Sequence, residues 1–240
     1  MDMKSLRYGI IGNGRLACHM QHYFNLLNIP HKVWARKTHT REELSSLEQS
    51  CHTILILIKD EQIESFIQQN PDLQQAKLVH CSGQLITPLA FSAHPLMSFN
   101  HELYDLELYQ QIAFILEEGS PDFYTLFPGL NNPFYTIPKS LKPFYHSLCV
   151  LSGNFTILLW QKMFNELQQR FQIPSEAALP YLKQIMHNLE YHPEIALTGP
   201  LDRNDQQTIA ANLLALDQDP YQQVYSAFVN AYRQMHHSKR

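Results

Sequence analysis

The sequence predicts an α/β domain built on a parallel sheet over residues 1–150, followed by an all-helical domain over residues 151–240. Three observations predict it. Short apolar runs alternate with helical patterns through the first half, which is the signature of right-handed βαβ units. The first of those runs ends in two glycines separated by a single residue, in GNGRLA. Beyond Leu151 only helical periodicity remains.

The elements follow in order. Leu6–Ile11 reads as a strand, Arg15–Leu27 as a helix, His31–Trp34 as a strand and Arg41–Gln49 as a short helix. Thr53–Ile58 is an unbroken apolar run, as expected of a strand buried on both faces. Ile63–Gln69 is helical, and Lys77–His80, Phe91–Ala93 and Ile112–Leu116 are the remaining strands. The segment FPGLNNPFYTIP concentrates Pro, Asn and Gly and reads as an irregular connection. Helices are then predicted over Asn154–Phe171, Tyr181–Leu189, Gln206–Leu216 behind an Asp205 cap, and Tyr221–His236 behind Asp219 and Pro220.

Composition narrows the function classes. With 45% hydrophobic and 17% charged residues, the 240-residue chain is globular. Its net charge of -4 and the lack of a Lys/Arg block before the last residues argue against a nucleic-acid footprint. No apolar run approaches a membrane span, and the N-terminus lacks the pattern of a signal peptide. Cys18, Cys51, Cys81 and Cys149 form no CxxC pair, so a cytoplasmic protein with reduced thiols is the simplest expectation. Thirteen histidines invite a search for metal, but His19 and His22 lack any accompanying ligand spacing, and no metal is expected.

The glycine loop carries the first chemistry. Gly12, Asn13, Gly14, Arg15, Leu16 and Ala17 fit G-x-G-x-x-G/A at the end of a strand and the start of a helix, the Rossmann-type context for a dinucleotide. Gly12 permits the turn, Gly14 leaves room for a pyrophosphate, and Ala17 lets helix and strand pack closely. The helix N-terminus offers N–H groups to the anion. An ordinary strand–turn–helix corner is the alternative. About 20 residues on, a carboxylate would bind a ribose 2′-hydroxyl, but the segment reads Trp34-Ala35-Arg36-Lys37. Arg36 and Lys37 suit a 2′-phosphate, so the expected cofactor is NADP(H). Ile58, Lys59, Ser82 and Gly83 lie in loops at the carboxyl ends of later strands, where cofactor contacts are expected. A helix cap at Asp60 and a Ser82-Gly83 turn are the plainer readings.

In the second half, Asn154, Gln161, Lys162 and Asn165 fall within a stripe roughly 100° wide on one helix. A wet outer face explains such a stripe, and so does a cleft-lining one. A nicotinamide reductase needs a proton donor and neutral hydrogen-bonding groups at the carbonyl, for which Lys162, Asn165 and Asn154 are candidates. Thr198, Arg203 and Asp205 sit in a polar loop, as substrate contacts or, for Asp205, as a helix cap. His94, beside Pro95 at a strand end, is the histidine expected nearest the cleft.

Taken in order, GNGRLA, WARK, ILILIKDEQI, VHCSG, FSAHPLMSF, GNFTILLWQKMFNEL and ALTGPLDRND resemble the Rossmann-like reductases whose second domain is of the 6-phosphogluconate dehydrogenase C-terminal type. Among these the chain is most similar to the noncanonical ketopantoate reductases, over nearly its whole length. The resemblance implies NADPH-dependent reduction of a small 2-oxo acid, 2-dehydropantoate, to pantoate for pantothenate and coenzyme A synthesis. Trp160, Lys162 and Asn165 echo the family's W-x-K-L-x-x-x-N segment, with the Asn three rather than four residues after the Lys; Lys162 would protonate the ketone oxygen. IKDEQI is similar to the cofactor-side segment of classical members and implicates Lys59. Helical second domains of this kind often bury a dimer contact, so a homodimer is expected. An imine reductase such as a pyrroline-5-carboxylate reductase, a β-hydroxyacid dehydrogenase and a non-catalytic nucleotide sensor are the alternatives.

Overall fold

The structure, a computed structural model, describes residues 8–237. A seven-stranded sheet has the order β2-β1-β3-β4-β5-β6-β7. Its strands are β1 (Tyr8–Ile11), β2 (His31–Trp34), β3 (Thr53–Ile56), β4 (Lys77–His80), β5 (Phe91–Pro95), β6 (Phe114–Glu117) and β7 (Phe134–Ile137). The helices of this half are α1 (Arg15–Leu26), α2 (Arg41–Ser50), α3 (Asp60–Gln69), α4 (Leu106–Gln111), α5 (Phe123–Leu126) and α6 (Lys142–Cys149). After these come α7 (Phe155–Gln169), α8 (Leu179–Tyr191), α9 (Gln206–Ala215) and α10 (Tyr221–His237). Two compact units divide between Leu159 and Trp160, inside α7.

The α/β fold followed by helices is as the sequence predicts, with two corrections to the sheet. First, β5 and β6 pair antiparallel, through Ala93 with Leu116 and His94 with Ile115. Apolar periodicity reports burial and not strand direction, and a mixed sheet buries its strands as fully as a parallel one. Second, the segment read as an irregular connection contains β7, which pairs parallel with β6. Pro133 and Pro138 flank it without removing an N–H from its four residues, and its exposure marks it as an edge strand. Of the first predicted strand, Leu6 and Arg7 lie outside the described residues.

The core forms on both faces of the sheet because successive side chains alternate. Ile10, Leu55, Val79, Ala93, Phe114 and Leu116 point to one side, against Met20, Tyr23 and Phe24 of α1. Ile11, Ile54, Ile56 and Leu78 point to the other, against Leu44 and Leu47 of α2 and Ile63 and Ile67 of α3. Burial of this kind contributes about 1.5–3 kcal/mol per large side chain. Local signals set the helix starts. Thr40 and Glu43 form a reciprocal capping box at α2, and Asp105, Asp122 and Asp205 cap α4, α5 and α9. A π-helical turn, Val150–Asn154, joins α6 to α7 and contains Gly153.

Candidate functional site

At the carboxyl ends of β1, β2, β3 and β4 lies a cleft of about 620 Å³. The two glycines at its floor do different work. Gly12 has φ +128°, and a methyl group there would overlap the carbonyl oxygen of Leu57, so the turn requires glycine. Gly14 has ordinary backbone angles, and a methyl group there would meet nothing within 4 Å. Its missing Cβ therefore leaves space on the cleft side, where a bulky anion can approach the backbone. Gly14 caps α1 without a side-chain hydrogen bond, so the first N–H groups of the helix are left for a ligand. Ala17 is fully buried beneath the loop, as close helix–strand packing demands.

The cleft brings Gly12, Asn13, Gly14, Arg15 and Leu16 together with Arg36, Lys37, Ile58, Lys59 and Ser82. Four of its lining residues are cations, Arg15, Arg36, Lys37 and Lys59, and among the described residues its one lining acid is Asp60. That carboxylate accepts a hydrogen bond from the Ser82 hydroxyl. It is not the cap of α3, a position held by Lys59. Neither Arg36 nor Lys37 has a carboxylate partner among the described residues, whereas Lys59 lies 4.0 Å from Glu61 on the surface. No acid stands at the end of β2. These features fit a dinucleotide carrying a 2′-phosphate.

Gly83, expected at the cofactor, does not line the cleft. It faces His146 of α6, whose ring a methyl group at Gly83 would overlap. The close approach of backbone to helix is the reason for glycine here. Ser82 Oγ accepts from Leu85 N–H at 2.9 Å, closing the turn after β4, and Ser82 N–H donates to His80 Nδ1 at 3.3 Å.

Beside the cleft a polar cluster that sequence reading missed, apart from His94, lies on the α2–α3 face of the sheet. Lys142, fully buried, donates to Glu117 Oε1 at 2.6 Å, to Ser92 Oγ at 2.6 Å and to the carbonyl of Leu85. Burial pulls its ammonium below the ordinary value, and the Glu117 carboxylate opposes that. His80 is 0% exposed, and burial, with Lys142 nearby, pushes its imidazole down to about 3. Because His80 Nδ1 accepts the Ser82 N–H, the proton of the neutral ring sits on Nε2, which has no partner. His94 Nδ1 and the Tyr145 hydroxyl are 2.8 Å apart, and the His94 and His146 rings meet edge-on at 5.9 Å. Cys81 is buried, which pushes its thiol up to about 12. The legible signal was the spacing of Lys142, Tyr145, His146 and Cys149, at i, i+3, i+4 and i+7 of one helix.

The residues expected at the substrate are placed as follows. Asn154 ends the π-helical turn and is exposed; Asn165 is exposed on α7. Lys162 Nζ lies 2.6 Å from Asp219 Oδ2 and 2.8 Å from Glu166 Oε1, and these carboxylates, Asp219 first, raise its pKa. That makes it a weaker acid than a free lysine. Thr198 and Arg203 are exposed in the loop before α9. Asp205 caps α9, accepting from Thr208 N–H at 3.0 Å and Thr208 Oγ1–H at 2.7 Å, which holds its carboxyl below the usual range. Among the described residues no cluster of His, Cys, Asp or Glu could hold a metal ion, and no helix is long and apolar enough to cross a membrane.

The comparisons agree with this architecture. No curated protein matches the sequence. Residues 116–232 match a family model described as a domain of unknown function, DUF2520. Among solved structures the fold is similar to that of BF3122 from Bacteroides fragilis, named as an inferred NADP oxidoreductase, at 20% identity and TM-score 0.75, covering 97% of this chain and 100% of that one. It is similar to protein TM1727 from Thermotoga maritima at 22% identity and TM-score 0.67, covering 97% and 99%. Pyrroline carboxylate reductase from Plasmodium falciparum, solved with NADP bound, is 14% identical with TM-score 0.59, covering 96% and 97%. The chain therefore shares the Rossmann-like fold of these structures.

Proposed function

We propose that the chain is an NADPH-dependent reductase of a small carbonyl compound, a 2-oxo acid, with 2-dehydropantoate as its substrate. The observation that carries the reading is the glycine-floored cleft with four lining cations and no acid at the end of β2. The α1 N-terminus and Gly14 would hold the pyrophosphate, and Arg36 and Lys37 the 2′-phosphate. When bound, the reduced nicotinamide supplies a hydride. The named substrate rests on the sequence resemblance. A second reading, reduction of a cyclic imine, is favoured by the similarity to a pyrroline carboxylate reductase.

Turnover decides between them. NADPH oxidation followed at saturating cofactor is expected with 2-dehydropantoate and not with 1-pyrroline-5-carboxylate. The reverse preference would establish the imine reading, and tight NADPH binding without turnover of either would leave a nucleotide-binding protein.

We also propose that the helical unit contacts a second copy of the chain. Among the described residues its buried apolar ones are Ala178, Ile209 and Val229, while Phe171, Ile195, Leu214 and Met235 are each more than half exposed. A second copy would cover these exposed apolar side chains. Sedimentation should give twice the 28.0 kDa chain mass; the mass of one chain would refute the dimer.

A further inference from the structure

The polar cluster under α6 contains two kinds of group. Lys142, Glu117 and Ser92 form a fully buried set in which Lys142 donates to both of the others and to the Leu85 carbonyl, and Glu117 Oε2 also lies 3.9 Å from Lys139. Tyr145 and His94 form a second pair at 2.8 Å, and both are only half-buried. His94 lies near the carboxyl end of β5, which runs parallel to β4, so the pair stands at the same sheet edge as the cleft. The pair does not line the cleft but adjoins it through one short loop: Cys81 and Ser82 line the cleft, and the next residue, Gly83, packs on His146, the neighbour of Tyr145. In sheets of this type that edge is where ligands bind.

We propose that Tyr145 is the catalytic acid of the reduction, delivering a proton to the substrate oxygen, with His94 as the positioning residue that holds and recharges it. This rests on the reductase reading above. In the step, the carbonyl carbon gains a hydride as the reduced nicotinamide is oxidised, and the π-electron pair moves to oxygen. An O–H bond forms there as the Tyr145 O–H breaks. The phenolate regains a proton from His94 Nδ1 as water delivers one at Nε2, and exchange of the imidazole protons with water then restores the Nδ1–H form, so the net proton comes from solvent.

The environment suits this role. When His94 Nδ1–H donates, the Tyr145 oxygen accepts and the phenolic proton is left for a third atom, Cys149 one turn on or a substrate oxygen. Burial, then His146 and Lys142, push the His94 imidazole down to about 4. Burial, with Cys149 one turn on, raises the Tyr145 phenol. At neutral pH the pair is uncharged and retains its proton until an alkoxide develops to take it. Lys162, held by two carboxylates, has been made less acidic instead.

The test compares Tyr145→Phe, His94→Gln, the double variant and Lys162→Ala, with 2-dehydropantoate and with 1-pyrroline-5-carboxylate at saturating NADPH. Tyr145→Phe is expected to lower kcat about 100-fold with KM changed less than about threefold. NADPH affinity, read by cofactor fluorescence, should not change. His94→Gln should lower kcat about tenfold, and the double variant should lose no more than Tyr145→Phe, since the two act as a unit. In the cofactor-free protein, ¹⁵N NMR of the imidazoles should show the His94 Nδ1 resonance moving in Tyr145→Phe. Tyr145→Phe with kcat within about twofold of wild type, a larger loss from Lys162→Ala, or an unmoved His94 resonance would each overturn the proposal. Failure of the wild-type protein to bind NADPH would instead remove the reductase reading, and this role with it.

Discussion

Lys162 of α7 and Asp219, two residues before α10, form an ion pair at 2.6 Å, and Asp219 also accepts the Tyr221 N–H at 2.9 Å. One carboxylate thus joins two helices and caps the second. The bond to Lys162, first, and that to the Tyr221 N–H hold its carboxyl below the ordinary range. A carboxylate with a depressed folded pKa stabilises above its unfolded pKa, and the contribution is lost as pH falls through the folded value. Asp219→Asn should therefore lower the melting temperature at pH 7. The gap to wild type should close as the pH is taken below the carboxylate range, as differential scanning calorimetry would show. A gap that does not vary with pH would assign Asp219 a role in packing alone.

Gly12 and Gly14 are two residues apart and should respond oppositely to alanine. Gly12→Ala forces a side chain into a positive-φ conformation and against the Leu57 carbonyl, so it should destabilise the fold by about 2 kcal/mol. Gly14→Ala adds a methyl group to open space and should leave the melting temperature unchanged while weakening NADPH binding. Unfolding curves and cofactor titrations of the two variants separate these effects. Intact binding by Gly14→Ala would mean that the pyrophosphate lies elsewhere.

The fully buried His80 makes acid a specific threat to the fold. Its pKa falls from an ordinary 6.5 to about 3 on folding, so between those values the unfolded chain binds a proton that the native protein excludes. Stability should fall as pH drops through that window, by up to about 1.4 kcal/mol per pH unit for this one group. His80→Asn, which can still accept the Ser82 N–H, should flatten the slope of denaturant-derived stability against pH below 6.5. An unchanged slope would show that His80 does not stay neutral in the native state.

What could be read from the sequence follows physical lines. The glycine loop, Arg36-Lys37 and the strand-end residues Lys59 and Ser82 were legible because a parallel βαβ pattern dictates which loops share one edge of the sheet. The antiparallel turn of β6 was not, because direction leaves no trace in apolar periodicity. Nor was β7, hidden by prolines that sit just outside it. His80, Tyr145 and His146 escaped notice because they come together only through α6, whose polar stripe has meaning once β4, β5 and β6 lie beneath it. Lys162 shows the reverse case: its helix was foreseen, but Asp219, 57 residues away, sets its chemistry.

Cofactor selectivity tests the central claim most directly. Fluorescence titration should show NADPH binding at least about tenfold more tightly than NADH, since a charge-assisted hydrogen bond contributes about 1.5–3 kcal/mol. Replacing Arg36 and Lys37 together by alanine should abolish that difference by weakening NADPH binding while sparing NADH. Equal affinities in the wild-type protein, or a preference that survives the double replacement, would contradict a 2′-phosphate site at the end of β2.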